Sequence, residues 1–163
     1  MSVKDEVTAR LNELGIPFEL AEHEPIYTME QCAHCSRQMA GVIPKNLFLK
    51  PRRAEKYYLL LIRGDVPFHA SLVSRQVDSP RLGFGDEEAL FRLLRVHPGS
   101  VSPLGLLFDT QGEVTLLVDE ALAQEPRLLF HPCDNRFTVA LSGADFFGRF
   151  LPACGHEPRF VSV

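Results

Sequence analysis

Two apolar runs, Asn46 to Leu49 and Tyr57 to Ile62, flank the polar connection Lys50-Pro51-Arg52-Arg53-Ala54-Glu55. Short runs of aromatic and aliphatic side chains favour strands. Proline and clustered charge between them mark a turn, so the pattern predicts a hairpin with a longish loop. A sheet is therefore the organising element.

The flanking segments supply further strands and the cover. Val3, Val7, Leu11 and Leu14 recur at helical spacing and Gly15 stops them, giving a helix over about residues 3–14. A short strand follows through Phe18-Glu19-Leu20. Thr28-Met29-Glu30-Gln31 has capping-box spacing and opens a second helix that ends near Gly41. Pro67 precedes a helix over about 69–77, and Leu82-Gly83-Phe84 reads as a brief strand. Asp86 caps another helix, with Glu87 and Glu88 in its first turn and Leu90, Leu93 and Leu94 on its apolar face. Leu104 to Phe108 and Val114 to Val118, split by Asp109-Thr110-Gln111-Gly112, read as a second hairpin. Leu128 to Phe130 and Phe137 to Leu141 are strands, Ser142 starts a last helix, and Glu157 to Val163 closes the chain as a strand. The expected architecture is α+β: one domain over 1–163, with a mixed, largely antiparallel and curled sheet surrounded by helices.

The 163-residue chain carries 45% hydrophobic and 23% charged residues, an ordinary globular balance for one core. No stretch approaches the roughly 20 apolar residues that span a bilayer, so no membrane association is expected. The charged start, without the apolar run of a signal peptide, points to the cytoplasm. A net charge of −4 excludes a surface that is polycationic throughout. Between Lys45 and Lys56, however, five residues are basic and one, Glu55, is acidic. That patch reads either as a solvated loop or as a track for a phosphate backbone.

Cys32-Ala33-His34-Cys35 resembles half of a zinc site. No second closely spaced pair completes it, and it falls in a predicted helix rather than at the strand-to-helix turn of a redox pair. Reduced cysteines, with no metal and no cofactor, are the expectation. His97-Pro98 and His131-Pro132 hold two histidines in extended backbone at element ends, suited to a turn or to a cleft rim. No Walker, GxGxxG or GxSxG loop is present, so an activated side-chain nucleophile is only weakly supported. Two features stand apart. Lys45 enters an apolar strand, where its ammonium needs a partner or a ligand. Gly99-Ser100-Val101-Ser102-Pro103-Leu104-Gly105 is a short loop whose backbone N–H groups could hold a carbonyl oxygen.

Five segments, in order, resemble the YbaK and prolyl-tRNA-synthetase-associated editing domain family, and most closely its freestanding ProX/PrdX-type alanyl-tRNA(Pro) deacylases. They are His23-Glu24-Pro25 with Thr28-Met29-Glu30; Lys45-Asn46-Leu47-Phe48-Leu49-Lys50; Pro98-Gly99-Ser100-Val101-Ser102-Pro103; Phe130-His131-Pro132 with Asn135 and Thr138; and Gly155-His156-Glu157-Pro158. Together they cover about residues 18–163. Departures fall at Pro44, Cys133-Asp134 and Arg136-Phe137, flanking the expected pocket.

The resemblance implies a deacylase that hydrolyses mischarged aminoacyl-tRNA, with alanine on tRNA(Pro) as the leading substrate. It implies Lys45, Gly99 and His131 as catalytic residues. Asn46, Ser100, Val101, Ser102, Pro103, Asn135 and Thr138 would bind substrate, and Lys50, Arg52, Arg53 and Lys56 would contact the acceptor stem. The acceptor end of tRNA is the implied partner, with prolyl-tRNA synthetase a second candidate. A cysteinyl, seryl or threonyl specificity, or a non-catalytic tRNA-binding module, would share these motifs.

Overall fold

The structure is a computed structural model; it describes the backbone of all 163 residues and the side chains of all but Met29, Cys32, Cys35 and Ser36. The proposed hairpin forms β2 (Lys45–Pro51) and β3 (Tyr57–Ile62), antiparallel with Lys45 opposite Ile62. Every residue of β3 is buried, because β3 lies inside a five-stranded sheet covered on both faces. The strand order is β4-β2-β3-β5-β8, with β4 at Leu82–Phe84, β5 at Val114–Asp119 and β8 at Arg159–Val161. β4 pairs antiparallel with β2, whereas β3–β5 and β5–β8 are parallel. A second, three-stranded antiparallel sheet joins β1 (Glu19–Glu22), β7 (Phe137–Ser142) and β6 (Arg127–Phe130) in the order β1-β7-β6. The fold is thus α+β and mixed, with two sheets where the strand pattern suggested one.

Alternate residues of β3 divide the core. Tyr57, Leu59 and Leu61 pack with α1 (Val3–Glu13), α4 (Glu87–Leu94), the inner face of the smaller sheet and Phe146 and Phe150. Tyr58, Leu60 and Ile62 pack with Val73 and Val77 of the α3 region (Ala70–Gln76), and with Leu82 and Val161. Ser2 and Asp86 cap α1 and α4 by accepting from Asp5 N and Ala89 N. Ser142 caps a helical segment over 143–153 whose middle, Phe146–Phe150, has π spacing.

The apolar run Leu104 to Phe108 is not a strand. Pro103–Phe108 forms a 3-10 helix, with Pro103 in its first turn and Ser102 Oγ accepting from Leu104 N at 3.1 Å. Proline fixes the helical φ and has no N–H to lose, so it favours this start over a ladder. Between α2 (Met29–Met39) and β2, Val42 bridges to Leu128 of β6. This bridge joins the two sheets where β2 begins. Among the described residues no helix is long and apolar enough to cross a membrane.

Candidate active site

A cleft of about 260 Å³ opens at that junction, with Pro44, Lys45 and Asn46 on one side and Phe130, His131 and Thr138 on another. Gly99 and Val101 close the rim, and Ile26, Ile43 and Leu129 make an apolar wall. Among the described residues the lining contains one lysine and no carboxylate. Its field therefore favours an anion or a developing oxyanion over a metal cation.

The ammonium of Lys45 donates to the Val66 carbonyl at 2.6 Å. This is the partner that a half-buried lysine in an apolar strand requires. An ammonium has three donors, so two are left for the cleft. Next to it, Asn46 Nδ2 faces the Pro44 carbonyl at 3.4 Å, while Oδ1 is enclosed without a partner. A buried acceptor left unpaired costs about 1–3 kcal/mol, which a ligand donor would recover.

His131 faces the Phe137 carbonyl through Nδ1 at 2.8 Å. A carbonyl only accepts, so Nδ1 carries the proton and the neutral ring keeps a lone pair on Nε2. Burial lowers the His131 pKa below the ordinary histidine value, opposed by the Phe137 bond, with nearby His23 lowering it further. The two imidazoles lie 6.3 Å apart. His23 is itself fixed: Nδ1 donates to the Glu24 carbonyl at 2.8 Å and Nε2 meets Thr138 Oγ1 at 2.7 Å.

Gly99 has φ +93°, a conformation that side chains rarely adopt. The loop amides are only partly available. Ser100 N donates to the His97 carbonyl at 3.0 Å, and Gly105 N donates to Ser102 O at 3.1 Å. The amides of Gly99, Val101 and Ser102 have no partner among the described residues, and Gly99 and Val101 belong to the lining.

Of the residues expected at the site, Lys45, Asn46, Gly99, Val101, His131 and Thr138 share this cleft. Ser102 is fully buried and, with Pro103, builds the 3-10 helix rather than the lining. Ser100 is half-buried beside the rim. Asn135 braces it, with Nδ2 on the Ile26 carbonyl at 3.3 Å. Lys50 lies five residues along β2 from Lys45, about 17 Å away at the usual rise of a strand. Lys50 and Arg52 line a separate cleft with Arg81 and Phe84, while Arg53 and Lys56 are exposed in the β2–β3 turn. His97 stacks on Phe91 at 4.9 Å and is not in the lining. Cys32 and Cys35 lie outside the described side chains. Burial pushes the Cys133 and Cys154 thiols up to about 12 and 11, which keeps both inert at neutral pH.

Sequence reasoning missed Tyr27, Thr28 and the Ile26–Ile43–Leu129 wall, together with the role of His23. His23 and Thr138 are 115 residues apart, and no local pattern announces such a bond. Tyr27 could have been marked as a large aromatic just before a capping box.

The cleft thus brings together a lysine, a half-buried histidine whose Nδ1 is held by a carbonyl, and loop amides without partners among the described residues. The profile of the aminoacyl-tRNA editing domain matches residues 23–148, and the chain belongs to that family. It is 34% identical to the prolyl-tRNA editing protein ProX of Acetoanaerobium sticklandii, over 89% of this chain and 88% of that one. It is 33% identical to the prolyl-tRNA synthetase associated domain-containing protein 1 of Mus musculus, over 98% and 96% of the two chains. A solved structure described as a candidate trans-editing enzyme for prolyl tRNA synthetase superposes with a TM-score of 0.74 at 19% identity, covering 100% of this chain and 98% of the other. That likeness concerns the fold.

Proposed function

We propose that this editing domain acts in trans on tRNA(Pro) mischarged by prolyl-tRNA synthetase, hydrolysing the ester that links alanine to the terminal adenosine. The observation that carries this reading is the pairing of Lys45 with the unpartnered Gly99 and Val101 amides around one small, acid-free cleft. Water adds to the ester carbonyl carbon and the Gly99 and Val101 amides receive the oxyanion. The C–O bond to the ribose then breaks, the ribose oxygen takes one proton of the attacking water, the other passes to solvent, and alanine leaves with a free carboxylate. His131 Nε2 orients the water or the neighbouring ribose hydroxyl as an acceptor. Lys45 holds a phosphate or ester oxygen through its remaining donors. Asn46 Oδ1 accepts from the substrate's α-ammonium.

Specificity rests on size. A site made for a larger apolar side chain rejects a smaller one only about 10–200-fold per methylene, so prolyl-tRNA synthetase needs a second sieve against alanine. Ile26, Ile43 and Leu129 form the wall that excludes the pyrrolidine ring. Lys50, Arg52, Arg53 and Lys56 contact the acceptor stem; about 17 Å from Lys45 corresponds to about five stacked nucleotides. The test is a panel of alanyl-, prolyl-, cysteinyl-, seryl- and threonyl-tRNA. Preferential release of alanine is expected. Equal or faster release of cysteine or serine would overturn the alanine assignment, and release of none would leave a binding module.

A further inference from the structure

The protein contains three tyrosines and no tryptophan. Tyr57 and Tyr58 are buried, at 5% and 1% exposure, while Tyr27 is 73% exposed. A large aromatic left in solvent is informative when it borders a cleft, and Tyr27 lies on the rim of the one described above. Its ring rests against the loop: Cδ1 and Cε1 stand 3.6 and 3.7 Å from the position a Cβ on Gly99 would occupy.

The backbone beneath the ring is tied on both sides. Ile26 N donates to the Asn135 carbonyl at 3.1 Å, and Tyr27 N donates to Gln31 Oε1 at 2.8 Å. Thr28 N donates to the same Gln31 oxygen at 3.1 Å, and Thr28 Oγ1 accepts from Gln31 N at 3.2 Å. The backbone that carries the ring is therefore braced, and the ring itself faces solvent.

From this placement we infer that Tyr27 is a stacking platform for the 3′-terminal adenine of the substrate. The inference rests on the editing reading. With the acyl group between Lys45 and the Gly99 loop, the ribose occupies the mouth of the cleft and its base reaches the rim. Unpaired terminal bases are commonly held on aromatic faces, because every base offers a π surface. Tyr27 thus acts as a positioning residue, fixing the base so that the ester meets the loop amides.

Two measurements test this. In the first, proton NMR follows the tyrosine ring signals as adenosine 5′-monophosphate is added, with Tyr27 assigned from Tyr27→Phe. A saturable upfield shift of the Tyr27 ring is expected, and ribose 5-phosphate is expected to leave it unmoved. In the second, Tyr27→Ala should raise KM for aminoacyl-tRNA about tenfold to a hundredfold, the equivalent of one stacked base, with a smaller change in kcat. Tyr27→Phe should restore KM to near the wild-type value. No ring shift with the nucleotide overturns the proposal, as does a loss in Tyr27→Phe equal to that in Tyr27→Ala. The nucleotide titration needs no turnover. A wild type that shows the shift but releases no amino acid therefore counts against the editing reading alone, and a wild type that deacylates without the shift counts against the platform alone.

Discussion

His131 donates from Nδ1 to the Phe137 carbonyl across the β6–β7 hairpin at 2.8 Å, which fixes the tautomer and leaves Nε2 as the acceptor at the cleft. Burial holds its pKa below the ordinary value of 6.5, so the neutral, accepting form dominates throughout the physiological range. The acid limb of kcat/KM for deacylation should therefore fall below pH 6.5 and the profile should be flat through neutrality. Stability follows the same sign. As pH falls below 6.5 the unfolded chain takes up a proton that the folded ring resists, so this contribution is lost on the acid side. An activity midpoint above 6.5 would contradict the neutral role of His131.

Thr138 stands between His23 and the cleft, so the two should act as a unit. A carbonyl holds His23 Nδ1–H, so the ring is fixed with Nε2 against the Thr138 hydroxyl and sets that hydroxyl's direction. His23→Ala and Thr138→Val should each lower kcat/KM several-fold, and the double variant should fall no further than the worse single one. Additive losses would mean that the bond is not what orients Thr138.

Gly99→Ala separates strain from space. The nearest side-chain atom would lie 3.6 Å from the new Cβ, an ordinary contact, but φ is +93°. Left-handed backbone at a non-glycine residue costs about 1–2 kcal/mol, so thermal unfolding should show a modest loss. Activity should fall far more, by about a hundredfold, if relief of that strain turns the loop amides away from the oxyanion site. Equal small losses in both would remove the loop from the chemistry.

Asp119 ties down Arg63, where the turn that carries the Lys45 partner Val66 begins. Its buried carboxylate accepts from Arg63 N, Arg63 Nε and Ala121 N at 2.8–3.1 Å, and Arg63 begins the turn that carries the Val66 carbonyl. Despite the opposing effect of burial, the Arg63 and backbone bonds hold the Asp119 pKa below the usual 3.8. The stability it confers is present above that value and is lost as pH falls through the lowered one. Asp119→Ala should cost about 3 kcal/mol in urea unfolding, because several charge-assisted bonds go at once. A cost under about 1 kcal/mol would show that Arg63 is free to re-pair.

The strand that carries Lys45, the strand that ends just before His131, and the caps at Thr28, Asp86 and Ser142 were legible because apolar runs and capping residues act locally. The 3-10 helix after Ser102 was not: Leu104 to Phe108 is as apolar as a strand, and only Pro103 together with the Ser102 cap turns it. Parallel pairing of β5 with β3 and β8 was likewise illegible, since partners so far apart in the chain leave no turn signature. Lys45 stood out by its chemistry as an unpaired cation in an apolar strand. Its partner, the Val66 carbonyl, lies across a turn whose shape depends on Asp119.

The most direct measurement is the single-turnover deacylation of alanyl-tRNA(Pro) and prolyl-tRNA(Pro) by the wild type and by Lys45→Ala. Rapid loss of alanine, retention of proline and a fall of at least about a hundredfold in Lys45→Ala are expected. Release of both amino acids at similar rates, or full activity without the lysine ammonium, would contradict a size-selective editing site built around Lys45.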